Sequence, residues 1–471
     1  MIKPILWLKK TVLISLFLFL VLTLFGIGRN YLFDWDEGIY ATIGREMRRS
    51  GDLLTPTWNG DLWLEKPPMI AWVTALGQSI AGENELGSRI LMPIFAGLTL
   101  YAIFRIGEYL GGTIVGTISM AVLGYFNLFL ARTRTLNTDG MLLAGITWSF
   151  WLLLSNASPI WVGLAMGLSI MVKGPAGILA ILICLPLLIK KPRSYILSII
   201  FYVLATIIPW HLYAYLTHGN SFLTPYLLEQ VIRRATVPIE FHTESRFFYL
   251  NFLYNDLGLG VILVALFGLL VSRNFLLTWW LVLPLFIFTL AKTRLSWYIL
   301  PVYPAIALLI GSGFSVFLKS KKNQVVVIVL SVGLLAQLLF HTYSYVAPFR
   351  EPTPLPGLLQ LASSLGNYDG AEIAMLVSEN ERVAEAILPI DQTISSSFRY
   401  GGAPSVVWYS RKHVTYYYNY DLFMADLVNN QNISLVITTV KDRDKVPSSF
   451  NVLSEQDGYI GYVRGDSYAL R

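Results

Sequence analysis

The chain has 471 residues, of which 55% are hydrophobic and 14% are charged. Soluble proteins carry about 25% charged residues, so this composition excludes an ordinary soluble protein and predicts a mainly α-helical, multi-pass membrane protein. The net charge of +6 does not indicate nucleic-acid binding, because the basic residues lie in short loops between apolar runs, where they set membrane orientation. The single cysteine, Cys184, excludes an intrachain disulfide and a cysteine-based metal site.

Apolar runs long enough to cross a hydrocarbon core of ~30 Å recur along the chain. We predict about eleven spans, and up to about thirteen, that form a helix bundle. The eleven lie at residues 11–29, 88–107, 113–131, 140–154, 159–173, 175–190, 195–215, 249–271, 275–291, 298–318 and 325–346.

Residues 159–190 are too few for two full-length spans, so at least one of the two must be short or re-entrant. A turn is predicted at residues 173–175, which read Lys-Gly-Pro. A single helix here would move the basic residues 319–322 outside, whereas short basic loops are typical of the cytoplasmic side. The charges therefore favour two spans and a cytoplasmic N-terminus. The first run is expected to be a retained anchor, because no small-residue cleavage site follows it.

The spans divide the chain into a predicted transmembrane domain, residues 1–346, and a tail, residues 347–471. The acidic residues of the first domain concentrate in the predicted outer loops. The tail contains strand-like runs at residues 372–377, 406–409 and 433–439, separated by turn residues. We expect a small soluble α/β domain on the outer, or periplasmic, face.

The first outer loop, residues 30–87, holds the densest acidic cluster. Residues 34–47 read Asp-Trp-Asp-Glu-Gly-Ile-Tyr-Ala-Thr-Ile-Gly-Arg-Glu-Met. Asp34 can cap a helix, with Glu37 completing a capping box, and this accounts for both residues without any function. Asp36 remains unexplained beside Trp35 at the end of the first span, and it is the first candidate for a catalytic role.

A second cluster follows at residues 63–68, which read Trp-Leu-Glu-Lys-Pro-Pro. The two prolines disfavour helix before them, so Glu65 and Lys66 project from an extended segment. A surface ion pair is the plain alternative. Asp139 and Lys173 lie at the predicted outer ends of short spans, where a lysine can simply snorkel but charges often mark a substrate pathway.

Further cations are predicted at the same outer face. The loop at residues 216–248 offers Arg233, Arg234, His242 and Arg246, and the alternative for it is an amphipathic helix on lipid headgroups. A later outer helix end offers Lys292, Arg294 and Tyr298, of which the tyrosine can equally be an interfacial aromatic. Glu65 and His242 are a weak candidate pair for a divalent metal, because they are far apart in sequence.

The first loop closely resembles that of the GT-C membrane glycosyltransferases, in the superfamily of aminoarabinose transferases and protein O-mannosyltransferases. The resemblance rests on the acidic motif of residues 36–47, on the Glu-Lys-Pro-Pro of residues 65–68, and on three later segments at residues 136–139, 171–174 and 292–301. It covers most of residues 30–310 in the expected order, whereas the tail is not diagnostic. Aminoarabinose transferases carry an arginine between the Asp-Glu pair and the tyrosine, where this chain has Gly38 and Ile39.

The resemblance implies a glycosyltransferase with a polyprenyl-phosphate sugar donor, acting at the outer face of the cytoplasmic membrane. Asp36 matches the acidic catalytic residue of the family's first loop. Glu37 and Glu65 are further candidates for catalytic residues. Lys66 is expected to bind the donor phosphate, together with Arg246, Lys292, Arg294 and Tyr298. The expected acceptor is a lipid, a glycan or a protein, and the expected oligomeric state is a monomer. No cofactor is expected other than the divalent metal for which Glu65 and His242 are candidate ligands.

Two other functions fit the composition. A transporter or flippase of lipid-linked sugars usually shows internal repeats with paired broken helices near the midplane, whereas the charges here gather at one face. A polymer ligase would use a polyprenyl-diphosphate donor. Both are ranked below the glycosyltransferase.

Overall fold

The computed structural model describes residues 2–33, 35–236, 244–319, 321–368, 372–379 and 399–465. It consists of an apolar helix bundle followed by a mixed sheet with helices. The α-helices, in chain order, are α1 (Ile2–Leu24), α2 (Asp36–Ser50), α3 (Met69–Ala81), α4 (Glu85–Arg89), α5 (Met92–Gly111), α6 (Thr113–Tyr125), α7 (Asn127–Arg134), α8 (Thr138–Leu154), α9 (Pro159–Lys173), α10 (Leu179–Leu188), α11 (Arg193–His218), α12 (Asn220–Leu223), α13 (Arg234–Thr236), α14 (Phe248–Ser272), α15 (Phe275–Leu290), α16 (Tyr303–Gly313), α17 (Lys321–Val346), α18 (Gly357–Leu365), α19 (Ser405–Ser410) and α20 (Tyr420–Asn429).

Within the described residues, seven helical segments are long and apolar enough to cross a membrane, or eight if one bent pair counts as a single span. One of the seven runs from Pro159 to Leu188 and contains α9, a 3₁₀ turn and α10, so the two spans predicted there count as one by length and composition. The bent pair is α6 and α7, which meet at 71° around Phe126. Helices α3, α8 and α15 are apolar but shorter. The chain is therefore a multi-pass membrane protein, and every predicted span overlaps a helix, although several of these helices are too short to span alone.

The predicted turn at residues 173–175 is present in the structure. Helix α9 ends at Lys173, and Gly174 adopts a φ of +58°, a conformation that favours glycine. A 3₁₀ turn (Gly174–Ile178) leads into α10. A Cβ on Gly177 would overlap the carbonyl oxygen of Ser169, so the chain after the turn lies against the last turns of α9.

The first outer loop folds as α2, a two-stranded hairpin and α3. Acidic residues occupy the first turn of α2, Arg48 and Arg49 occupy its last turn, and Gly51 ends it with a φ of +76°, in agreement with the helix dipole and the preference for glycine after a helix. The hairpin pairs β1 (Thr57–Trp58) with β2 (Asp61–Leu62). Asp34, the predicted cap, lies outside the described residues, and α2 begins at Asp36 after Trp35.

The second outer region contains an unusual helix. Residues Thr224–Arg233 form a π-helix of ten residues, whereas most π-helices are single-turn bulges, frequently at functional sites. Lys292 and Thr293 donate backbone hydrogen bonds to Ala235 and Arg234, at 3.2 Å each. These bonds join the end of this region to the loop after α15.

The tail contains a five-stranded sheet with the order β4-β3-β5-β7-β6. Its strands are β3 (Glu372–Leu376), β4 (His413–Tyr417), β5 (Ile433–Thr439), β6 (Phe450–Gln456) and β7 (Tyr459–Arg464). Strands β4, β3 and β5 are parallel, and β5, β7 and β6 are antiparallel. The predicted strands at 372–377 and 433–439 are confirmed. The predicted strand at 406–409 is wrong: these residues lie in α19, whose buried face packs on the first outer loop, so tertiary contacts override their β-propensity.

The tail and the first outer loop are joined by buried polar contacts. Arg45 of α2 donates to the backbone oxygens of Trp408 and Val407 at 2.8 and 3.0 Å. The amide side chain of Asn59 exchanges two hydrogen bonds with the backbone of Val414, at 2.8 and 2.9 Å. Because these donors and acceptors are buried, separating the two parts would leave them unpaired, which is costly.

Candidate active site

A cavity of about 910 Å³ lies where the first outer loop, the π-helix, the loop after α15 and the tail meet. It has an aromatic and charged lining. The predicted site residues that line it are Asp36, Glu37, Glu65, Lys66, Asp139, Lys173 and Tyr298. The structure thus brings together residues from loops that are far apart in the sequence.

Asp36 occupies the first position of α2, and its side chain is 40% exposed. One of its carboxylate oxygens lies 3.2 Å from Nη2 of Arg132, at the end of α7. Asp36 lines the cavity. A partly exposed carboxylate in a cavity can accept a proton from a bound hydroxyl group.

Arg132 links Asp36 to a second acidic group. Its Nη2 lies 2.5 Å from Oδ2 of Asp139, and Oδ1 of Asp139 accepts a hydrogen bond from Lys173. The Arg132 guanidinium also stacks 4.8 Å from the ring of Trp297. Asp139 is thereby fixed between two cations, which suits a group that positions others better than one that transfers protons.

Glu37 points away from the reaction space although its residue lines the cavity. Arg89 donates to its two oxygens at 2.7 and 2.5 Å, and the backbone N–H groups of Leu136 and Phe33 donate at 2.7 and 2.9 Å. Its side chain is 4% exposed. Each carboxylate oxygen of Glu37 therefore accepts two hydrogen bonds. These bonds hold the loop before α2, the start of α2 and the segment before α8 together.

Glu65 is buried and held on both oxygens. Oε2 accepts a hydrogen bond from Gln230 of the π-helix at 2.8 Å, and Oε1 accepts one from the hydroxyl group of Tyr400 in the tail at 2.7 Å. Burial raises the pKa of Glu65 above its ordinary value, against the opposing effects of Lys66 and these hydrogen bonds.

Lys66 has a different environment. Its Nζ donates to the hydroxyl group of Tyr40 at 2.8 Å and lies 5.3 and 5.7 Å from the ring centres of Tyr40 and Trp63. Burial lowers its pKa, and the charges of Asp36 and Glu65 oppose this shift. Among the residues that the structure describes, no carboxylate forms an ion pair with Lys66. Its ammonium group is thus the cavity cation best placed to receive an anion.

The remaining predicted cations lie elsewhere. Arg246 and Lys292 are exposed, and Arg294 donates to the backbone oxygens of Glu244 and Thr289. Within the described residues none of the three lines the cavity. Arg234 does line it, and its guanidinium donates to the hydroxyl group of Tyr298 at 3.2 Å.

The predicted metal pair does not extend into a larger donor set. Within the described ranges, no group of three His, Cys, Asp or Glu side chains could hold a metal ion. His242 lies outside the described residues. Both carboxylate oxygens of Glu65 already accept hydrogen bonds, one from Gln230 and one from Tyr400. The pair therefore stays a prediction.

Three cavity residues were missed by sequence reasoning: Arg132, Gln230 and Tyr400. Arg132 has a usable signal, because it precedes the Leu-Asn-Thr-Asp motif of residues 136–139 at a predicted outer helix end. Gln230 lies within a stretch that reads as a surface amphipathic helix. Tyr400 lies in the tail, and no local pattern relates it to a loop more than 300 residues earlier.

Comparisons with known proteins show the family and the fold of this chain. A model of the dolichyl-phosphate-mannose-protein mannosyltransferase family matches residues 65–214. An uncharacterised protein of Aquifex aeolicus is 30% identical over 379 residues, which cover 76% of this chain and 75% of that protein. The crystal structure of ArnT from Cupriavidus metallidurans bound to undecaprenyl phosphate has a TM-score of 0.75 at 16% identity, over 99% of both chains. The chain belongs to the GT-C superfamily of ArnT-like and protein O-mannosyltransferase proteins.

Other GT-C relatives carry a functional name. The undecaprenyl phosphate-alpha-4-amino-4-deoxy-L-arabinose arabinosyl transferase 2 of Pseudomonas fluorescens is 30% identical over 330 residues, which cover 65% of this chain. The chain spans 56% of that relative's length. The likeness to the crystal structure, at 16% identity, establishes the GT-C membrane fold.

The structure explains how this GT-C chain accommodates its departure at Gly38 and Ile39. A Cβ on Gly38 would overlap the side chain of Ser405 in the tail, so this position requires glycine for close packing. Ile39 is 6% exposed and lines the cavity. An apolar side chain therefore lines the cavity near Asp36, where the aminoarabinose transferases are expected to have a guanidinium group.

Proposed function

We propose that this protein transfers a sugar from a polyprenyl-phosphate donor to a hydroxyl-bearing acceptor, with inversion at the anomeric carbon. The observation that carries the proposal is that one cavity holds a half-buried lysine, Lys66, with which no carboxylate of the described residues forms an ion pair, and a partly open carboxylate, Asp36. The names of the GT-C relatives support the donor class.

The donor phosphate binds at Lys66. When the bond between the anomeric carbon and the phosphate oxygen breaks, its electron pair stays on that oxygen, and the phosphodiester monoanion becomes a phosphomonoester dianion. Lys66 binds the dianion better than the monoanion, which lowers the barrier. Arg234, rather than Arg246 or Arg294, supplies the second positive charge, since its guanidinium lines the cavity.

Asp36 acts as the general base. The acceptor oxygen attacks the anomeric carbon on the face opposite the phosphate, and its proton passes to the Asp36 carboxylate. Arg132 orients that carboxylate from 3.2 Å. Asp139 holds Arg132 in turn, and Lys173 holds Asp139.

Glu37 serves a structural role in this scheme, because Arg89 and two backbone amides occupy its oxygens. Glu65 positions its surroundings without touching the reacting atoms. The apolar helix surfaces beside the cavity hold the polyprenyl chain.

The site is expected at the outer face of the cytoplasmic membrane, with the N-terminus in the cytoplasm and the tail outside. This orientation follows from the short basic loops. The acceptor is a lipid, a glycan or a protein hydroxyl group, and the protein acts as a monomer.

The proposal is tested with membranes that contain the full chain and a panel of radiolabelled polyprenyl-phosphate and polyprenyl-diphosphate sugars. Transfer from at least one monophosphate donor is expected for the wild type and for the exposed control Lys292→Ala. Asp36→Ala and Lys66→Ala should lose it. Transfer from diphosphate donors alone would indicate a polymer ligase, and equal activity of both variants would remove the proposed site.

A further inference from the structure

Glu65 and Lys66 are adjacent and oppositely charged, yet they do not form an ion pair. Glu65 contacts Gln230 and Tyr400, whereas Lys66 contacts Tyr40. The chain bends at both residues, and a glutamate and a lysine that follow one another are long enough to meet by rotation about their side-chain bonds. The groups that contact the Glu65 carboxylate must therefore hold it away from the Lys66 ammonium group.

The hydroxyl group of Tyr400 is one of the two groups that do so. It accepts a hydrogen bond from Nε1 of Trp63 at 2.8 Å and donates one to Oε1 of Glu65 at 2.7 Å. Its single proton is thereby directed at Glu65, since the indole N–H can only donate. Hydrogen bonds to a charged acceptor are stronger than those between neutral groups.

The ring of Tyr400 is fixed by aromatic packing. It packs edge-on against Trp58 at 4.9 Å and against Trp35 at 5.7 Å between ring centres, and the residue is 4% exposed. Gly401, with a φ of +56°, allows the chain to turn directly after it, and a Cβ there would overlap the ring of Tyr416. The tail thus presents Tyr400 to the cavity in one orientation.

We propose that Tyr400 is a positioning residue that holds the Glu65 carboxylate away from Lys66, so that the lysine remains available to the donor phosphate. The inference rests on the proposed function. The tail then contributes directly to the site, because its Tyr400 hydroxyl group keeps Glu65 from pairing with Lys66.

Without the hydroxyl group, Glu65 retains Gln230 as its hydrogen-bond partner among the described residues. Its second oxygen then gains most by turning toward Lys66, the cation with the largest Coulomb effect on it, because an unpaired buried acceptor is costly. A glutamate paired with Lys66 competes directly with the phosphate. Tyr400→Phe should therefore weaken phosphate binding, although it leaves the ring and its packing in place.

The experiment measures binding of undecaprenyl phosphate to the full-length protein in detergent, together with the donor KM and kcat. The variants are Tyr400→Phe, Glu65→Gln and the double variant, with Tyr416→Phe as the matched control. Tyr416 is another tail tyrosine next to Trp58 whose hydroxyl group donates to the backbone oxygen of Ala403 at 3.2 Å. Tyr400→Phe should weaken binding about tenfold and raise the donor KM, whereas the control binds as the wild type does.

The decisive comparison uses the Glu65→Gln variant. Its neutral amide cannot neutralise Lys66, so Tyr400→Phe should cause no further weakening in the Glu65→Gln background. A merely structural role would give additive losses, and that result would overturn the inference, as would a Tyr400→Phe variant that binds like the wild type. If Tyr400→Phe did not fold, Trp63→Phe would test the same contact, because it removes the donor that orients the hydroxyl group.

The two proposals fail in different ways. A wild-type protein that binds no undecaprenyl phosphate and transfers no sugar would refute the proposed function. A wild type that binds and transfers, with losses that persist in the Glu65→Gln background, would refute the role of Tyr400 alone.

Discussion

Arg89 and Glu37 form a buried ion pair beneath the candidate site, with Nε and Nη2 of the arginine 2.7 and 2.5 Å from the two carboxylate oxygens. Each side chain is 4% exposed. Arg89 also donates to the backbone oxygens of Ile27, Asn30 and Tyr31. One guanidinium group therefore joins the end of the first span to the start of α2.

Arg89→Ala should destabilise the protein by about 3–5 kcal/mol, because it leaves a buried carboxylate without its counter-ion. Arg49→Ala is the control: Arg49 pairs with Glu83, its side chain is 50% exposed, and exposed pairs contribute about 1 kcal/mol or less. Thermal unfolding in detergent measures both. Equal losses in the two variants would contradict the structural importance of the Arg89 pair.

Asp36→Asn should lower the transfer rate about 10²- to 10⁴-fold, the usual contribution of a positioned general base. Binding of undecaprenyl phosphate should change little, because Asp36 is proposed to act on the acceptor. Asp61→Asn, at an exposed position of the hairpin, is the matched control and should retain full activity. A variant with normal turnover would remove Asp36 from the mechanism.

Donor binding should weaken at alkaline pH earlier than for an exposed lysine. Lys66 binds phosphate only when protonated, and burial lowers its pKa below the ordinary 10.5, so binding is complete below the lowered pKa and is lost as the pH rises through it. Donor KM measured across the alkaline range gives the pKa. The Lys66→Arg variant should show no rise of the donor KM at alkaline pH, since a guanidinium group stays charged. If the KM of this variant rose over the same pH range as that of the wild type, the titrating group would be a residue other than Lys66.

Arg45→Ala should loosen the tail from the first outer loop. The variant loses the hydrogen bonds to the backbone oxygens of Trp408 and Val407 and the stacking on the Trp408 ring at 4.8 Å. Hydrogen–deuterium exchange should increase in α19 and β4, and transfer should fall because Tyr400 is displaced. Arg48→Ala, on the same helix and paired with Glu83, should leave exchange in these elements unchanged.

Much of the candidate site was predictable because its residues carry local signals. Asp36 follows directly on the first apolar run, and Lys66 stands before two prolines, so charge at a membrane boundary and backbone restriction mark both positions. The turn at Lys173 was predictable from Gly174 and the shortness of the run. The strand expected at residues 406–409 was wrong, because burial against α2, rather than local preference, makes that segment helical.

The partners of these residues could not be predicted in the same way. Lys173 and Asp139 each read as a lone charge at a helix end, and only the bundle shows that Asp139 pairs with both Lys173 and Arg132. Arg246 and Arg294 have the right charge in the right loops, but Arg234 is the one directed into the cavity. Charge sets which residues are candidates, whereas helix direction sets which side chains converge.

The sequence by itself determined that this protein spans a membrane, in which loops its acidic residues gather, and which family it resembles, because hydropathy, loop charge and short motifs are properties of contiguous residues. Only the tertiary structure decided that Tyr400 of the tail lines the cavity, that Glu65 is held by Tyr400 and Gln230, and that no carboxylate in the described part of the chain forms an ion pair with Lys66. These are contacts between segments more than 150 residues apart, and no local pattern encodes them, since they arise from how the helices and the sheet pack.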